Sequence, residues 1–403
     1  MVAVIGASRP GGAQTSSLND RTRPLSSPSV DPLTADPVPV RADIGALAGY
    51  HSAQVDADVR LNTNESPFPP PEEWLAEYLD ALADVRWNRY PDRRASELRH
   101  AIAGFHGVPD GRVFAANGSN EVIQSLLLAY AGPGRTVVTF EPTYQLHAHI
   151  SRITGASVTT GERRDDFTLE PEHAADVIVS ADPAVTFLCS PNNPTGVIES
   201  PEVLDAVLSA SRGLVVVDEA YAEFSSWTAL DRVTDDGRLV VVRTFSKTWS
   251  MAAARLGYAV APSWVVVQLD KVALPYHLDA AKQLAGTLAV RHVADMERRV
   301  SALVEERGRV AAALAELSSA GVEAFPSGSN FILVRFQRHD ARHVWQRLVA
   351  DGVLVRDCSG WPRLDGCLRV TIGLRAENDR FLAVLGDIVA TPASSSATIR
   401  EPA

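Results

Sequence analysis

The stretch Val240–Ala261, VVVRTFSKTWSMAAARLGYAVA, decides how this chain is read. It opens on a β-branched apolar run, breaks at small hydroxyl residues around Lys247, and resumes an apolar run after Arg255. Runs that are continuously apolar, without polar alternation, suit strands buried on both faces of a largely parallel sheet. The runs 135–142 (RTVVTFEP), 184–191 (AVTFLCSP), 213–220 (GLVVVDEA), 238–246 (RLVVVRTFS) and 255–262 (RLGYAVAP) share this character, and each ends in polar or turn residues. Helix-like segments such as NEVIQSLLLAYAG and PEVLDAVLSASRG lie between them, the second with Gly213 as its expected stop. The alternation predicts an α/β fold with helices flanking a mostly parallel sheet. Lys247 and Arg255 then stand as a lone amine and a lone guanidinium at the lip of that sheet.

Beyond about residue 285 the texture changes. A long charged helix, VRHVADMERRVSALVEERGRVAAALAEL, leads to NFILVRF, a second helix near ARHVWQRLVADG, and the runs VLVRDC and CLRVTIG. This suits a smaller α+β domain. The expected organisation is a disordered tail over 1–40, an arm over 41–75 serving the small domain and a dimer contact, a large domain over 76–285, a small domain over 286–391, and a second disordered tail over 392–403. The first forty residues are rich in Ser, Pro, Gly and Thr and lack a sustained apolar period. Within them VAVIGASRPGG imitates the start of a dinucleotide-binding unit, but Pro10 and polar sequence follow where a helix should open.

Composition narrows the function. At 403 residues the length corresponds to roughly two or three domain-sized units. A formal net charge of -11 argues against a general binder of nucleic acid or membrane surfaces, which needs a basic footprint. No run approaches the roughly 18 apolar residues of a membrane-spanning helix. Cys189, Cys358 and Cys367 are too few and scattered for a disulfide framework or zinc site, so a reducing, cytoplasmic setting is expected. His147 and His149, two apart, are poorly spaced as metal ligands on one helix face, and no metal is expected.

Ligands of open parallel sheets bind beyond the carboxyl ends of the strands. The residues just past each run are therefore informative: Pro142-Thr143-Tyr144, Pro191 to Gly196 (PNNPTG), Asp218-Glu219-Ala220-Tyr221, and Ser246-Lys247. NGSN, 117–120, opens a helix before the first of these runs. Singly, each has a plain reading. Asp218 can be a solvated strand end or a helix cap, Tyr144 core or rim, NNPTG a turn, NGS a turn into a helix cap, and Lys247 a surface amine. Together, in this order, they collect an aromatic ring, an amide, a carboxylate, a phenol, a hydroxyl and an amine on one rim.

With these residues in view the chain resembles the fold-type I pyridoxal-phosphate aminotransferases, and within them the histidinol-phosphate aminotransferase family. The resemblance runs from about Leu61 to Gly373 and is carried by LNTNESPFPPP, NRYPD, NGSNE, EPTY, SPNNPTG, VVDEAYAEF, RTFSK with ARLGYA, LPYH, SNFILVR and CLRVTIG. It implies a seven-stranded, mostly parallel sheet in the large domain and pyridoxal 5'-phosphate as cofactor. Lys247 would form the internal Schiff base and later shuttle a proton, and Asp218 would keep the pyridine nitrogen protonated. Asn193 and Tyr221 would bond the ring oxygen, and Tyr144 would stack on the ring. Gly118, Ser119, Asn120, Thr244, Ser246 and Arg255 would hold the cofactor. A helix start supplies backbone N–H groups for an anion, and Arg255 a guanidinium fork. Tyr90 would reach the phosphate site of the neighbouring subunit, implying a homodimer with shared active sites. Arg369 would grip the carboxylate of an amino donor, Arg356 the phosphate end of a substrate, and Asn64 would also touch substrate. Taken singly, Arg356 reads equally as an ordinary surface strand residue.

Three departures from the family pattern bear on the substrate. The usual NENP is NESP here, with Ser66. The glycine- and leucine-rich loop after the lysine reads SMAAAR. His277 follows the PY pair where Asn is common. Ser66 and His277 are expected close to the substrate, with a local packing change as the other reading of His277. The implied reaction is amino transfer between glutamate/2-oxoglutarate and histidinol phosphate/imidazole acetol phosphate. An aromatic or specialised-metabolite oxo acid, and decarboxylation of a phosphothreonine-like substrate, stand as alternatives. A cofactor-binding regulator lacks any DNA-binding segment.

Overall fold

The computed structural model describes residues 38–47, 49 and 55–390. The two expected tails therefore lie outside the described residues, except for 38–40. Residues 38–47 hold one helical turn, Ala42–Gly45, beside an exposed Arg41–Asp43 ion pair.

Among the described residues there are twelve strands: β1 (Val59–Leu61), β2 (Val113–Ala116), β3 (Thr136–Glu141), β4 (Ser157–Glu162), β5 (Val185–Cys189), β6 (Leu214–Asp218), β7 (Leu239–Thr244), β8 (Gly257–Val260), β9 (Val322–Ala324), β10 (Phe331–Phe336), β11 (Val353–Asp357) and β12 (Cys367–Thr371). Seven form one sheet in the order β2-β8-β7-β6-β5-β3-β4. Every neighbouring pair is parallel except those made by β8, which runs antiparallel to β2 and β7. All residues of β5, β6 and β7 are buried. Alternate side chains serve opposite faces: Val215, Val217 and Val241 join one apolar cluster, Val216, Val240 and Val242 the other. Each fully buried valine contributes about 1.5–3 kcal/mol over exposure, which is why these strands are uniformly apolar.

The five runs read as strands are strands. The sequence reading passed over β2 and β4, for clear reasons. β2 has four residues, and β4 (SVTTGE) is a half-exposed edge without an apolar run. The reading of Gly213 needs correction. The preceding helix spans Pro201–Ala210, and Gly213 sits just before β6, where an added Cβ would lie 2.3 Å from the Ala184 carbonyl oxygen. Close approach of two strands, not helix termination, requires a glycine there.

A second sheet has the order β1-β11-β12-β10-β9, with β1 parallel to β11 and the other pairs antiparallel. The charged helix after residue 285 spans Val293–Glu316, and the helix near 341 spans Ala341–Ala350. A further helix, Arg375–Ala390, follows β12. Among the described residues, no helix is long and apolar enough to cross a membrane.

Candidate active site

A cavity of about 450 Å³ opens beyond the carboxyl ends of β5, β6 and β7. Its walls bring together Asn64, Ser119, Asn120, Tyr144, Asn193, Asp218, Tyr221, Thr244, Ser246, Lys247, Arg255, Arg356 and Arg369, all expected at the site from sequence. Gly118 lies just behind, at φ +82°, where an added Cβ would meet Arg255 Nη2 at 3.0 Å. Tyr90 alone stands apart. It is 79 % exposed, with its ring stacked on Tyr276 at 4.5 Å.

Asp218 ends β6 and is 2 % exposed. Its Oδ1 accepts from the Ala220 N–H at 3.1 Å, and its Oδ2 lies 2.9 Å from His147 Nε2. His147, on the helix Leu146–Ile153, is itself buried, stacked flat on Phe187 at 4.5 Å and edge-on to Tyr144 at 5.3 Å. Burying a carboxylate is tolerable only when its oxygens have such partners. The sequence reading weighed His147 solely as a metal ligand and missed this contact. The one available signal was its position three residues after Tyr144, on the same strand-to-helix connection.

Lys247 Nζ donates to the Thr63 carbonyl at 2.9 Å. Burial first, and the Arg369 and Arg255 guanidiniums with it, lower its pKa to about 8 against the opposing Glu65 carboxylate. At that value about a tenth of the amine is neutral at pH 7. Burial pushes the Tyr221 phenol up to about 12, against the Arg369 charge and the bond it accepts from Asn64 Nδ2 at 2.9 Å. Asn64 adopts φ 57°, and its Oδ1 accepts from Thr371 Oγ1 at 2.9 Å. Both ends of the Asn64 amide are thereby engaged in fixing Tyr221 and β12.

One part of the cavity wall is a nest of polar groups. The helix Ser119–Tyr130 begins there, Asn120 Oδ1 accepts from the Tyr144 hydroxyl at 3.2 Å, and Arg255 Nη1 donates to Ser246 Oγ at 3.3 Å. Ser246 Oγ also receives Thr244 Oγ1 at 3.0 Å. At the other end, Arg356 and Arg369 are direct cross-strand partners on β11 and β12. Arg369 is anchored by Asn193 Oδ1 at 2.5 Å, by the Asn62 carbonyl at 2.9 Å and by the Phe331 ring at 5.2 Å. Its Nε is buried and has no partner among the described residues. The Arg356 guanidinium lies 5.3 Å over the Trp361 ring.

Ser66 and His277, expected close to the substrate, are not among the residues that line this cavity. Ser66 Oγ accepts from Ser250 Oγ at 2.9 Å, and Ser250 Oγ accepts from Arg299 Nη1 at 3.1 Å. The NESP and SMAAAR departures are thus one linked change, each supplying the other's hydroxyl. His277 Nε2 lies 2.9 Å from the Ala115 carbonyl oxygen, and its ring stacks parallel to Phe114. That is the packing alternative.

An acid buried at one side, a low-pKa amine opposite and a nest of hydroxyl, amide and guanidinium donors define an α/β enzyme site for a phosphorylated aldehyde coenzyme with a basic ring nitrogen. The cradle fits such a group: Gly118 leaves the space beside Arg255 open, and the volume accommodates coenzyme plus a small substrate. A model of the family described as aminotransferase class I and II matches residues 57–385. The chain belongs to that family, which makes it a transaminase with pyridoxal 5'-phosphate as coenzyme. It is 44 % identical over 376 residues to the histidinol-phosphate aminotransferase of Frankia casuarinae, covering 88 % of this chain and 91 % of that one. With the enzyme of the same name from Mycolicibacterium smegmatis it shares 40 % identity, covering 90 % and 97 %. The fold is shared with the Sinorhizobium meliloti histidinol-phosphate aminotransferase solved with pyridoxal-5'-phosphate, at TM-score 0.79 and 23 % identity, covering 87 % and 97 %.

Proposed function

We propose that this transaminase moves an amino group between glutamate/2-oxoglutarate and histidinol phosphate/imidazole acetol phosphate, a step of histidine synthesis. The observation that carries the reading is the cross-strand pair Arg356 and Arg369 in the same cavity as Lys247. One guanidinium serves the carboxylate of glutamate, the other the phosphate monoester. Relatives at 40–44 % identity carry the corresponding name.

When bound, the coenzyme supplies an electron sink for the bond broken at the substrate carbon. The chain's own residues do the rest. Lys247 Nζ would hold the coenzyme and, when free of it, would take and return the proton at the substrate carbon, a role that its lowered pKa suits. Asp218 would keep a proton on the ring nitrogen, and His147 keeps that carboxylate oriented. Tyr221 and the Asn193 amide would orient the ring oxygen, while Tyr144 would cover the ring face. Gly118, Ser119, Asn120, Thr244, Ser246 and Arg255 would hold the phosphate end. Asn64 acts through Tyr221 and as cavity wall.

The active unit in this reading is a cytoplasmic homodimer in which Tyr90 completes the neighbour's site. Tyr90 is strongly exposed for a large hydrophobic residue, as are Trp87 and Leu274 near the stacked pair in sequence. In this reading 76–285 is the coenzyme domain and the small domain begins at 286, with β1 joining the second sheet beside β11.

The test is a pair of half-reactions followed by coenzyme absorbance: glutamate, then histidinol phosphate against phenylalanine. Amino transfer from both glutamate and histidinol phosphate, with phenylalanine slower, is expected. Arg356→Ala should weaken histidinol phosphate far more than glutamate. Equal loss for both removes Arg356 from the phosphate end, and release of carbon dioxide without amine exchange refutes the reading.

A further inference from the structure

Two acids line the main cavity, and they differ in kind. Asp218 lies deep and is engaged by His147 and the Ala220 N–H. Glu65 is exposed at the lip, and its carboxylate makes no hydrogen bond or ion pair among the described residues. The remaining charged side chains on the wall, Lys247, Arg255, Arg356 and Arg369, are all cationic. Those cations match the anionic groups of coenzyme and substrate, which leaves the single free acid unexplained.

The backbone beneath Glu65 is unusually well fixed. The residue before it, Asn64, holds φ 57° with both amide ends bonded, and its carbonyl accepts from Asn330 Nδ2 at 3.1 Å. Before that, the Thr63 carbonyl faces the Lys247 amine. A side chain rooted on such a turn has a well-held base beside the reacting amine. A rooted, unpaired carboxylate among cations is an acceptor that waits for a donor on the ligand.

We propose that Glu65 is a specificity residue that accepts a hydrogen bond from the ring N–H of the substrate's imidazole, selecting azole-bearing phosphate monoesters over phenyl ones. This rests on the reading of the preceding subsection. Arg356 takes the phosphate, Lys247 works at the amine-bearing carbon, and Glu65 meets the remaining end of the molecule. Glutamate has no N–H to offer at that end and gains nothing from this acid.

The test uses the holoenzyme, wild type and Glu65→Gln, in single-turnover half-reactions with histidinol phosphate, its phenyl analogue phenylalaninol phosphate, and glutamate. Glutamine keeps an acceptor oxygen but loses the charge, so the weakened bond predicts a fall of about 3–10-fold in the second-order rate constant for histidinol phosphate. The phenyl analogue and glutamate should stay within about twofold, and Glu65→Asp should recover part of the loss. Because Glu65 also raises the Lys247 pKa, the coenzyme's absorbance is titrated against pH in both proteins, and rates are compared where Lys247 is in the same state. An equal fall for all three donors, or none for histidinol phosphate, overturns the assignment of Glu65. A wild-type enzyme that accepts glutamate but ignores histidinol phosphate overturns both the preceding reading and this one.

Discussion

Replacing Asn64 separates backbone strain from hydrogen bonding at the hinge of the site. In Asn64→Ala two side-chain bonds go: Nδ2 to the Tyr221 hydroxyl at 2.9 Å, and Thr371 Oγ1 to Oδ1 at 2.9 Å. Tyr221 and Thr371 are both buried, so each hydroxyl is left short of a partner at about 1–3 kcal/mol. The φ of 57° adds about 1–2 kcal/mol for alanine, which asparagine tolerates better through its polar side chain. Together these predict a loss of about 3–6 kcal/mol for alanine, allowing for some relaxation. Asn64→Gly loses the same bonds but is free to adopt this φ, so it should be more stable than the alanine variant by about 1 kcal/mol. The backbone bond from Asn64 N to Thr371 Oγ1 at 3.0 Å survives in both. Urea unfolding of the holoenzyme, with a double-mutant cycle to Thr371→Val, measures these quantities. Coupling of about 1–2 kcal/mol is expected in the cycle. Equal stability of the alanine and glycine variants refutes the strain argument, and additivity with Thr371→Val refutes the shared network.

Three further outcomes follow from the geometry. Capture of coenzyme by the apoenzyme requires the neutral Lys247 amine, so its rate should rise with pH through about 8 and then level; Arg369→Gln removes a cation that lowers this pKa and should move the midpoint upward. A downward shift, or none, contradicts the electrostatics. His106, whose ring nitrogen lies 2.8 Å from the Tyr258 hydroxyl, is held near 3 by burial and by Arg243. The unfolded chain, with an ordinary value near 6.5, takes up the proton first, so stability contributed here is lost as pH falls from about 6.5 towards 3. His106→Phe should flatten that part of the stability–pH curve, and an unchanged slope assigns it elsewhere. Gly118→Ala should weaken coenzyme binding about tenfold, because φ +82° is strained for alanine and its Cβ would press on Arg255. Equilibrium dialysis of the coenzyme measures it, and wild-type affinity refutes the cradle.

What the sequence made legible was whatever is written along one strand and its end. Val215 to Val217 are apolar on both faces because both faces are covered, so the run declares a central strand, and Asp218 declares its carboxyl end. Direction is not written this way. RLGYAVAP shows the same apolar run, yet β8 is antiparallel, a fact that depends on the connection from β7 folding straight back. Contacts that cross between elements were equally invisible. His147 reaches Asp218 across 71 residues, and Ser66 meets Ser250 across 184.

Arg243 shows most clearly why such contacts escape a linear reading. In VVVRTF it is a polar interruption near the end of an apolar run, and its neighbours in sequence give it nothing to pair with. In the fold it is buried with Glu219 at 2.7 Å and Glu223 at 3.3 Å, and Glu219 in turn accepts from Thr228 Oγ1 at 2.7 Å and the Ala229 N–H at 2.6 Å. Burial opposes its charge, but the two carboxylates outweigh that and hold it above its ordinary value. A half-satisfied group of this kind would be a liability of several kcal/mol, so the cluster stands or falls as a unit. It adjoins the site through the chain itself: Glu219 follows Asp218, Arg243 precedes Thr244, and Thr248, a 3.4 Å donor to Glu223, follows Lys247. Asp218, Thr244 and Lys247 are therefore each one residue from a member of a buried network at the ends of β6 and β7. Their relative placement is set from behind by charges that the motif around Lys247 never mentions.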